Sequence, residues 1–379
     1  MTFQLTEEQS MIRDMVRDFA ESRIKPLAKE LDETGRFPFE TAAALAEMGI
    51  MGLNIPEEYG GSGLDEISKV LVISEVARCC ASTAEFLAVQ LLVNDIILRN
   101  GNEEQRKKYL PLAASGKLGA FALTEPNAGS DAGSLKTKAV SDGDFYVLNG
   151  VKCFISNMGH EEGEFVVVIA LTDPSKGVKG MSAILVDRGT PGFSVGKVED
   201  KMGIRAAAVS ELIFEDCRVP KSNLLGKEGE GFKIAMSGLD GGRIGIAAQA
   251  VGVAQGALEE AVNYSKQRVQ FGKPISALQG IQWYLADMAT RLEAARGLMF
   301  MAADARARKE PVAKLASMAK YFASENAKWI VDRAIQIHGG YGYMKDYPIE
   351  RIYRDVRIIC MYEGTSEIQK TVIAKEVLR

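Results

Sequence analysis

The hydrophobic pattern changes period twice along the chain, and those two changes constrain the fold more than any other feature. From Thr6 to about Gly119 the apolar residues recur at helical spacing, as in Ile67–Ala77 and Glu85–Arg99, with an alanine-rich stretch at Thr41–Met48. Gly- and Pro-rich loops (Gly49–Gly52, Pro56–Gly63) punctuate them. From about Phe121 to Phe232 short β-rich runs take over: Tyr146–Leu148, Phe165–Ala170, Ser182–Val186 and Glu211–Phe214, separated by Gly, Asp, Pro and Asn. From Ile234 long helical stretches return, Ile246–Lys266, Gln279–Arg308 and Pro311–Ile337. The spacing predicts an α+β, mainly α chain: a helical domain over 1–120, a small antiparallel β-barrel or sandwich over 121–232, and a helical domain over 233–379. No βαβ crossover pattern is present, which excludes a Rossmann domain. The length of Gln279–Arg308 predicts that one flank packs on another helix, which a second subunit can supply.

The 379 residues are 25% charged and carry a net charge of −4, which argues against nucleic acid as the main partner. The cysteines (Cys79, Cys80, Cys153, Cys217, Cys360) show no paired spacing and read as reduced thiols buried in a cytoplasmic protein. The only histidines, His160 and His338, lack a metal-binding constellation, so no metal is expected. No leader segment is recognisable: Thr6–Gln9 is a capping box, followed by Ile12, Met15, Val16 and Phe19 at helical spacing. No apolar run is expected to approach the ~18 residues of a membrane span.

Chemistry concentrates at Cys360–Gln369. Glu363 follows the apolar Ile358, Ile359, Met361 and Tyr362 and precedes Gly364, while Thr365 is a helix N-cap. A carboxyl between an apolar run and a tight turn is either a solvated Glu at a helix start or one partly desolvated, and desolvation raises its pKa toward the range of a general base. In Phe121–Asp131, Pro126 and Gly129 bend the chain and leave the Thr124 and Ser130 hydroxyls to hydrogen-bond a planar polar ligand or to cap the turn. After the Asn149–Gly150 turn, Phe154 and Ser156 share one strand face, where they meet either a ligand plane or the core. Leu239–Arg243 reads as the opening of a long helix, with Asp240 and Arg243 free to pair with each other or with an anion. Arg268–Ile275 and the glycine-rich turn Gln336–Gly342 offer charge and bare N–H groups for phosphate; glycine at a helix C-terminus is otherwise commonplace. His338 reads as structural.

On these segments, Phe121–Asp131, Phe154–Ser156, Leu239–Arg243, Arg268–Phe271, Gln336–Gly340 and Tyr362–Glu367, the chain resembles the acyl-CoA dehydrogenases from Thr6 to its C-terminus. The resemblance implies an N-terminal helical domain, a middle β-domain, a C-terminal four-helix bundle and a homotetramer with one FAD per subunit. It implies an acyl-CoA substrate, dehydrogenated to the trans-2-enoyl-CoA, and an electron-transfer flavoprotein as partner. Glu363 matches the base that removes the α-proton. Phe121, Leu123, Thr124, Gly129, Ser130, Phe154, Ile155 and Ser156 match the surroundings of the flavin ring, with Ser156 facing N5. Arg268, Phe271, Gln279, Gln336, Gly339 and Gly340 match pyrophosphate and adenosine contacts, some made to a neighbouring subunit's cofactor. Thr365 and Glu367 resemble a further FAD-contacting stretch. Ser130, Asp240, Arg243, Tyr362 and Gly364 match positions that hold the substrate.

Departures from the family pattern are informative. Phe154 stands where many relatives have Trp, and Gly242 stands near the helical position that carries the base in others, leaving Glu363 as the base here. The motifs are closest to short-chain and short-branched members, with an alicyclic acyl group also open. Glu85–Leu98 holds no Arg, which weakens a dicarboxyl-CoA reading, and its Asp95 reads as a solvated helix face in preference to a second acid.

Overall fold

The structure, a computed structural model, describes residues 4–379. Among them the helices are α1 (Glu7–Phe19), α2 (Ala28–Thr34), α3 (Phe39–Glu47), α4 (Glu66–Cys79), α5 (Ala81–Asn100) and α6 (Glu103–Ala114) before the sheet. After it come α7 (Gly231–Gln267), α8 (Gln279–Ala307), α9 (Ala313–His338), α10 (Ile349–Ile359) and α11 (Ser366–Val377). The Thr6 capping box forms as expected: Thr6 Oγ1 accepts from the Gln9 N–H at 3.1 Å and Gln9 Oε1 from the Thr6 N–H at 3.0 Å.

The intervening strands are β1 (Leu118–Ala122), β2 (Lys138–Asp142), β3 (Phe145–Ser156), β4 (Gly163–Leu171), β5 (Met181–Asp187), β6 (Phe193–Val198), β7 (Val209–Pro220) and β8 (Leu224–Leu225). They form one sheet in the order β6-β7-β3-β2-β4-β5-β8. Pairing is antiparallel except where β1, and one residue pair of β2, run parallel to β4. The β2–β3 hairpin, not a helix, lies between β1 and β4, so the parallel pair is no βαβ unit. A short β9–β10 hairpin (Val269–Gln270, Lys273–Pro274) links α7 to α8.

Strand β4 explains the continuous apolar run at Phe165–Ala170. Phe165, Val167 and Ile169 pack with Leu92, Val93, Ile96 and Ile97 of α5, whereas Val166, Val168 and Ala170 pack with Leu148, Leu212 and Phe214 of the sheet. Alternate side chains on a strand face opposite ways, so a strand covered on both faces is apolar throughout. A third apolar cluster joins α4, α5, α7, α8 and α9.

Three local expectations are corrected. Asn149–Gly150 is not a hairpin turn: β3 runs through it with a shift of register, and the β2–β3 turn is at Gly143–Asp144. Leu239–Arg243 does not open a helix but lies two turns inside α7. Its glycines mark close packing, since a Cβ at Gly238 would collide with Ile96, at Gly241 with Arg306 and at Gly242 with Glu363. Finally, α5 is long and apolar enough to cross a membrane by length and composition, but 83% of that window is buried inside the protein. It is a core helix.

Candidate active site

Between α10 and α11 the chain makes a turn held by local bonds, among them Ser366 N–H to the Cys360 carbonyl at 3.0 Å, and by contacts from α9. Glu363 takes a φ of 53° and Gly364 a φ of 92°, the left-handed region that costs a non-glycine residue conformational energy. Compensation comes from three sides. Lys320 Nζ of α9 donates to the Gly364 carbonyl at 2.8 Å, and Gln369 Nε2 of α11 donates to the Glu363 and Gly364 carbonyls at 3.1 and 2.8 Å. Ser366 Oγ donates to Glu325 of α9 at 2.7 Å, and Thr365 caps α11. With both carbonyls engaged, the Glu363 N–H has no hydrogen-bond acceptor among the described residues.

The turn presses the Glu363 carboxyl against α7. Glu363 Oε2 is out of contact with solvent and without a partner. A Cβ built at Gly242 would stand 2.6 Å from it. Burial pushes the Glu363 pKa up to about 7, against the pull of Arg243 and Lys320, with Glu85 adding to the rise. Lys320 is itself lowered to about 8 by burial. Arg243 is buried, donates to Asp240 at 2.8 Å and keeps an unpartnered Nε; burial raises Asp240 despite this contact. The Tyr362 hydroxyl hydrogen-bonds Gln249 Oε1 of α7.

Facing this turn, α5 supplies Glu85, 2% exposed, whose Oε1 hydrogen-bonds the Ser156 hydroxyl at the end of β3. Asn157 Nδ2 fastens the same strand end to the Phe86 and Gly119 carbonyls, both at 3.2 Å. Phe154 and Ser156 do not alternate on a regular strand. Phe154 has a φ of 58° at an irregularity of the β3–β7 register, and its ring is 66% exposed.

The remaining candidates are placed as follows. Phe121 is half-buried on β1, Leu123 and Ile155 are core residues, and Thr124, Gly129 and Ser130 line a turn closed by reciprocal Glu125–Ala128 backbone bonds. Arg268 stacks on Tyr341 with 5.3 Å to the ring centroid and pairs with no carboxylate among the described residues. With Gln270, Gly339, Gly340 and the buried His338, it lines an open cavity of about 490 Å³. Phe271, at a φ of 54°, is 89% exposed, and Gln279, Gln336 and Glu367 are exposed. Among the described residues no hydrogen bond or ring contact joins this second set to Glu363, Glu85 and Ser156.

Asp95 overturns its expectation. It is buried and ion-paired with Arg99 at 2.7 Å and with Arg306 of α8, so it is neither a solvated face nor a free acid. Arg99 lies one turn on in α5, but Arg306 is too far along the chain for a reading of α5 alone to find. Glu85, Lys320, Gln249 and Gln369 were missed as site residues. For Glu85 a signal existed: a carboxylate set within the apolar Ala84–Ala88 stretch is rarely buried without reason.

The comparisons with known proteins agree with this arrangement. Family models described as the N-terminal, middle and C-terminal domains of acyl-CoA dehydrogenase match residues 6–117, 120–217 and 229–378. The chain is 55% identical to an acryloyl-CoA reductase (NADH) of Anaerotignum propionicum, over 100% of this chain and 96% of that one. It matches butyryl-CoA dehydrogenase of Megasphaera elsdenii at 45% identity with a TM-score of 0.97, over the full length of both chains. A chain from a structure of the electron transferring flavoprotein of Acidaminococcus fermentans matches at 49% identity and TM-score 0.98, again over both full lengths. The family models and the full-length matches define an oxidoreductase of the flavoprotein class that acts on acyl-CoA. The chain belongs to the acyl-CoA dehydrogenase family.

A substitution at α7 tests the packing of the carboxyl. Gly242→Ala is expected to leave the fold intact, because α7 accepts alanine, but to push the Glu363 carboxyl from its seat. The rate of substrate-driven cofactor reduction should fall by at least tenfold while the melting temperature hardly moves, which stopped-flow absorbance and thermal unfolding would show.

Proposed function

We propose that the chain dehydrogenates a short acyl-CoA to its trans-2-enoyl-CoA with bound FAD, Glu363 being the base for the α-proton. The observation that carries this reading is the buried, unpartnered Glu363 Oε2 on a residue whose own N–H is also free to donate. The α-C–H of a thioester is a weak acid, so a base alone is not enough. The Glu363 N–H supplies a donor for the thioester oxygen, where negative charge develops as the proton leaves. Lys320 and Gln369 fix that donor by holding the adjoining carbonyls.

The residues present fit FAD. Phe154 offers an exposed ring beside the Ser156 hydroxyl, and the open cavity offers Arg268 with two glycines at which a Cβ would meet nothing within 4 Å. Bound there, FAD would accept the β-hydrogen as hydride. The family resemblance supports service of Arg268, Gly339 and Gly340 to the cofactor of a neighbouring subunit in a homotetramer. The outer flank of α8, with Trp283 63% exposed, is the surface offered for that assembly. An electron-transfer flavoprotein is the proposed acceptor, supported by the Acidaminococcus fermentans match.

A second reading, reduction of a 2-enoyl-CoA, is favoured by the acryloyl-CoA reductase relative. With its pKa raised to about 7, Glu363 serves as base when ionised and as proton donor when protonated. Anaerobic titration of the FAD-loaded protein with a panel of acyl-CoAs, from three-carbon to branched and alicyclic, tests cofactor, activity and chain preference together. Loss of flavin absorbance is expected with short acyl groups; no loss with any member would sink the reading. Oxygen uptake in place of flavoprotein reduction would make the enzyme an oxidase. For dehydrogenation, kcat/KM should climb as pH rises through about 7, because only the ionised carboxyl accepts the proton. A rate already level at pH 5 would mean that the base is not desolvated.

A further inference from the structure

Glu85 is a buried carboxyl with no ion-pair partner among the described residues. Its Oε1 engages the Ser156 hydroxyl, and its Oε2 is out of solvent with no hydrogen-bond partner among the described residues. The charged and titratable groups that face it are Lys201, Tyr362 and Glu363. Of these, Lys201 is engaged with the Glu199 and Arg205 carbonyls at 3.4 and 3.5 Å, and Tyr362 with Gln249. Fastening α5 to β3 does not need this carboxyl, because Asn157 already ties the strand end to Phe86.

A hydroxyl carries one hydrogen and two lone pairs. When Glu85 is ionised it can only accept, so it claims the Ser156 hydrogen and leaves Ser156 with lone pairs to offer. When Glu85 is protonated it can donate to Ser156 Oγ, and the Ser156 hydrogen is released to a ligand. We propose that Glu85 is a positioning residue that decides whether Ser156 presents a donor or an acceptor to the isoalloxazine ring of FAD. This rests on the reading above, in which Ser156 faces that ring. In oxidised flavin, N5 bears no hydrogen and is an acceptor, so the protonated state of Glu85 gives it a donor. The only chemical change is exchange of one proton between Glu85 and solvent. Burial raises Glu85 to about 7, so the donor state prevails below that pH and the acceptor state above it.

The test is the visible absorption of the oxidised, FAD-loaded protein recorded from about pH 5 to pH 9. A transition in band shape is expected near pH 7 in the wild type, and as a single transition in Glu363→Gln, which removes the other carboxyl raised to about 7. Glu85→Gln and Ser156→Ala should each abolish it, and Glu363→Gln should keep it. A wild type with no transition, a transition that survives Glu85→Gln, or one lost in Glu363→Gln would overturn the assignment. If Glu85→Gln does not fold, Ser156→Ala decides: a surviving transition overturns the proposal and its loss supports it. Protein that takes up no FAD overturns this together with the reading beneath it. Protein that takes up FAD and is bleached by acyl-CoA, yet shows no transition, overturns this alone.

Discussion

Glu363→Gln should leave a folded protein that binds FAD and acyl-CoA but reduces the cofactor more slowly by roughly two to four orders of magnitude, the usual contribution of a positioned base. Glutamine keeps the size of the side chain, so the left-handed turn and its contacts to Lys320 and Gln369 survive. What is lost is the ability to hold a proton. Rapid mixing under anaerobic conditions measures the step directly, and unchanged melting would exclude a folding artefact. A variant that still bleached the flavin at the wild-type rate would remove Glu363 from the mechanism. Glu363→Asp is less informative, because a carboxyl one methylene shorter would retreat from Gly242 as well as from substrate.

Glu125→Ala should bring a large loss of stability. Glu125 lies in the turn that follows β1 and accepts from the Lys136 and Thr137 N–H groups at 2.6 and 2.9 Å. It also pairs with Lys152 Nζ at 2.8 Å, on a lysine with no solvent exposure. Lys152's remaining hydrogen bond goes to the Leu123 carbonyl at 3.0 Å. Removing the carboxylate strands a buried cation, which costs about 3–5 kcal/mol. Melting should drop by about 4–6 °C. Burial already lowers Lys152 to about 8, with Glu125 as the main opposing influence. Without Glu125 the folded protein releases that proton more readily, while the unfolded chain holds it until the ordinary lysine range. Raising the pH from 7 to 9 should therefore recover part of the deficit. A loss of less than 1 kcal/mol in denaturant unfolding at pH 7 would show that water reaches Lys152.

The helical–sheet–helical order and the desolvation of Glu363 were legible because each rests on local pattern: periodicity in the first case, an apolar run ending at a glycine in the second. Leu239–Arg243 was misread for the same reason. Clustered glycines look like a helix boundary, but whether they break a helix or notch it depends on what packs there, and Ile96, Arg306 and Glu363 come from elsewhere in the chain. Asp95 fails in the same way, its charge being met by Arg306 from α8. Glu85 and Lys320 were hidden because a single charged residue in a helix looks solvated until a neighbouring layer covers it. Phe154 illustrates a third limit. Its backbone leaves the strand pattern at an irregularity that no alternation rule encodes.

The contact between Gly242 and the Glu363 carboxyl also bears on how such enzymes can diverge. If Glu363 is the base, a second acidic side chain carried on α7 at this level would crowd it, since a Cβ at Gly242 would already stand 2.6 Å from its Oε2. Relocating the proton acceptor from turn to helix therefore demands paired replacements, with any single-step intermediate either crowded or lacking its acid. The chain's present choice is locked in by sterics before chemistry is considered.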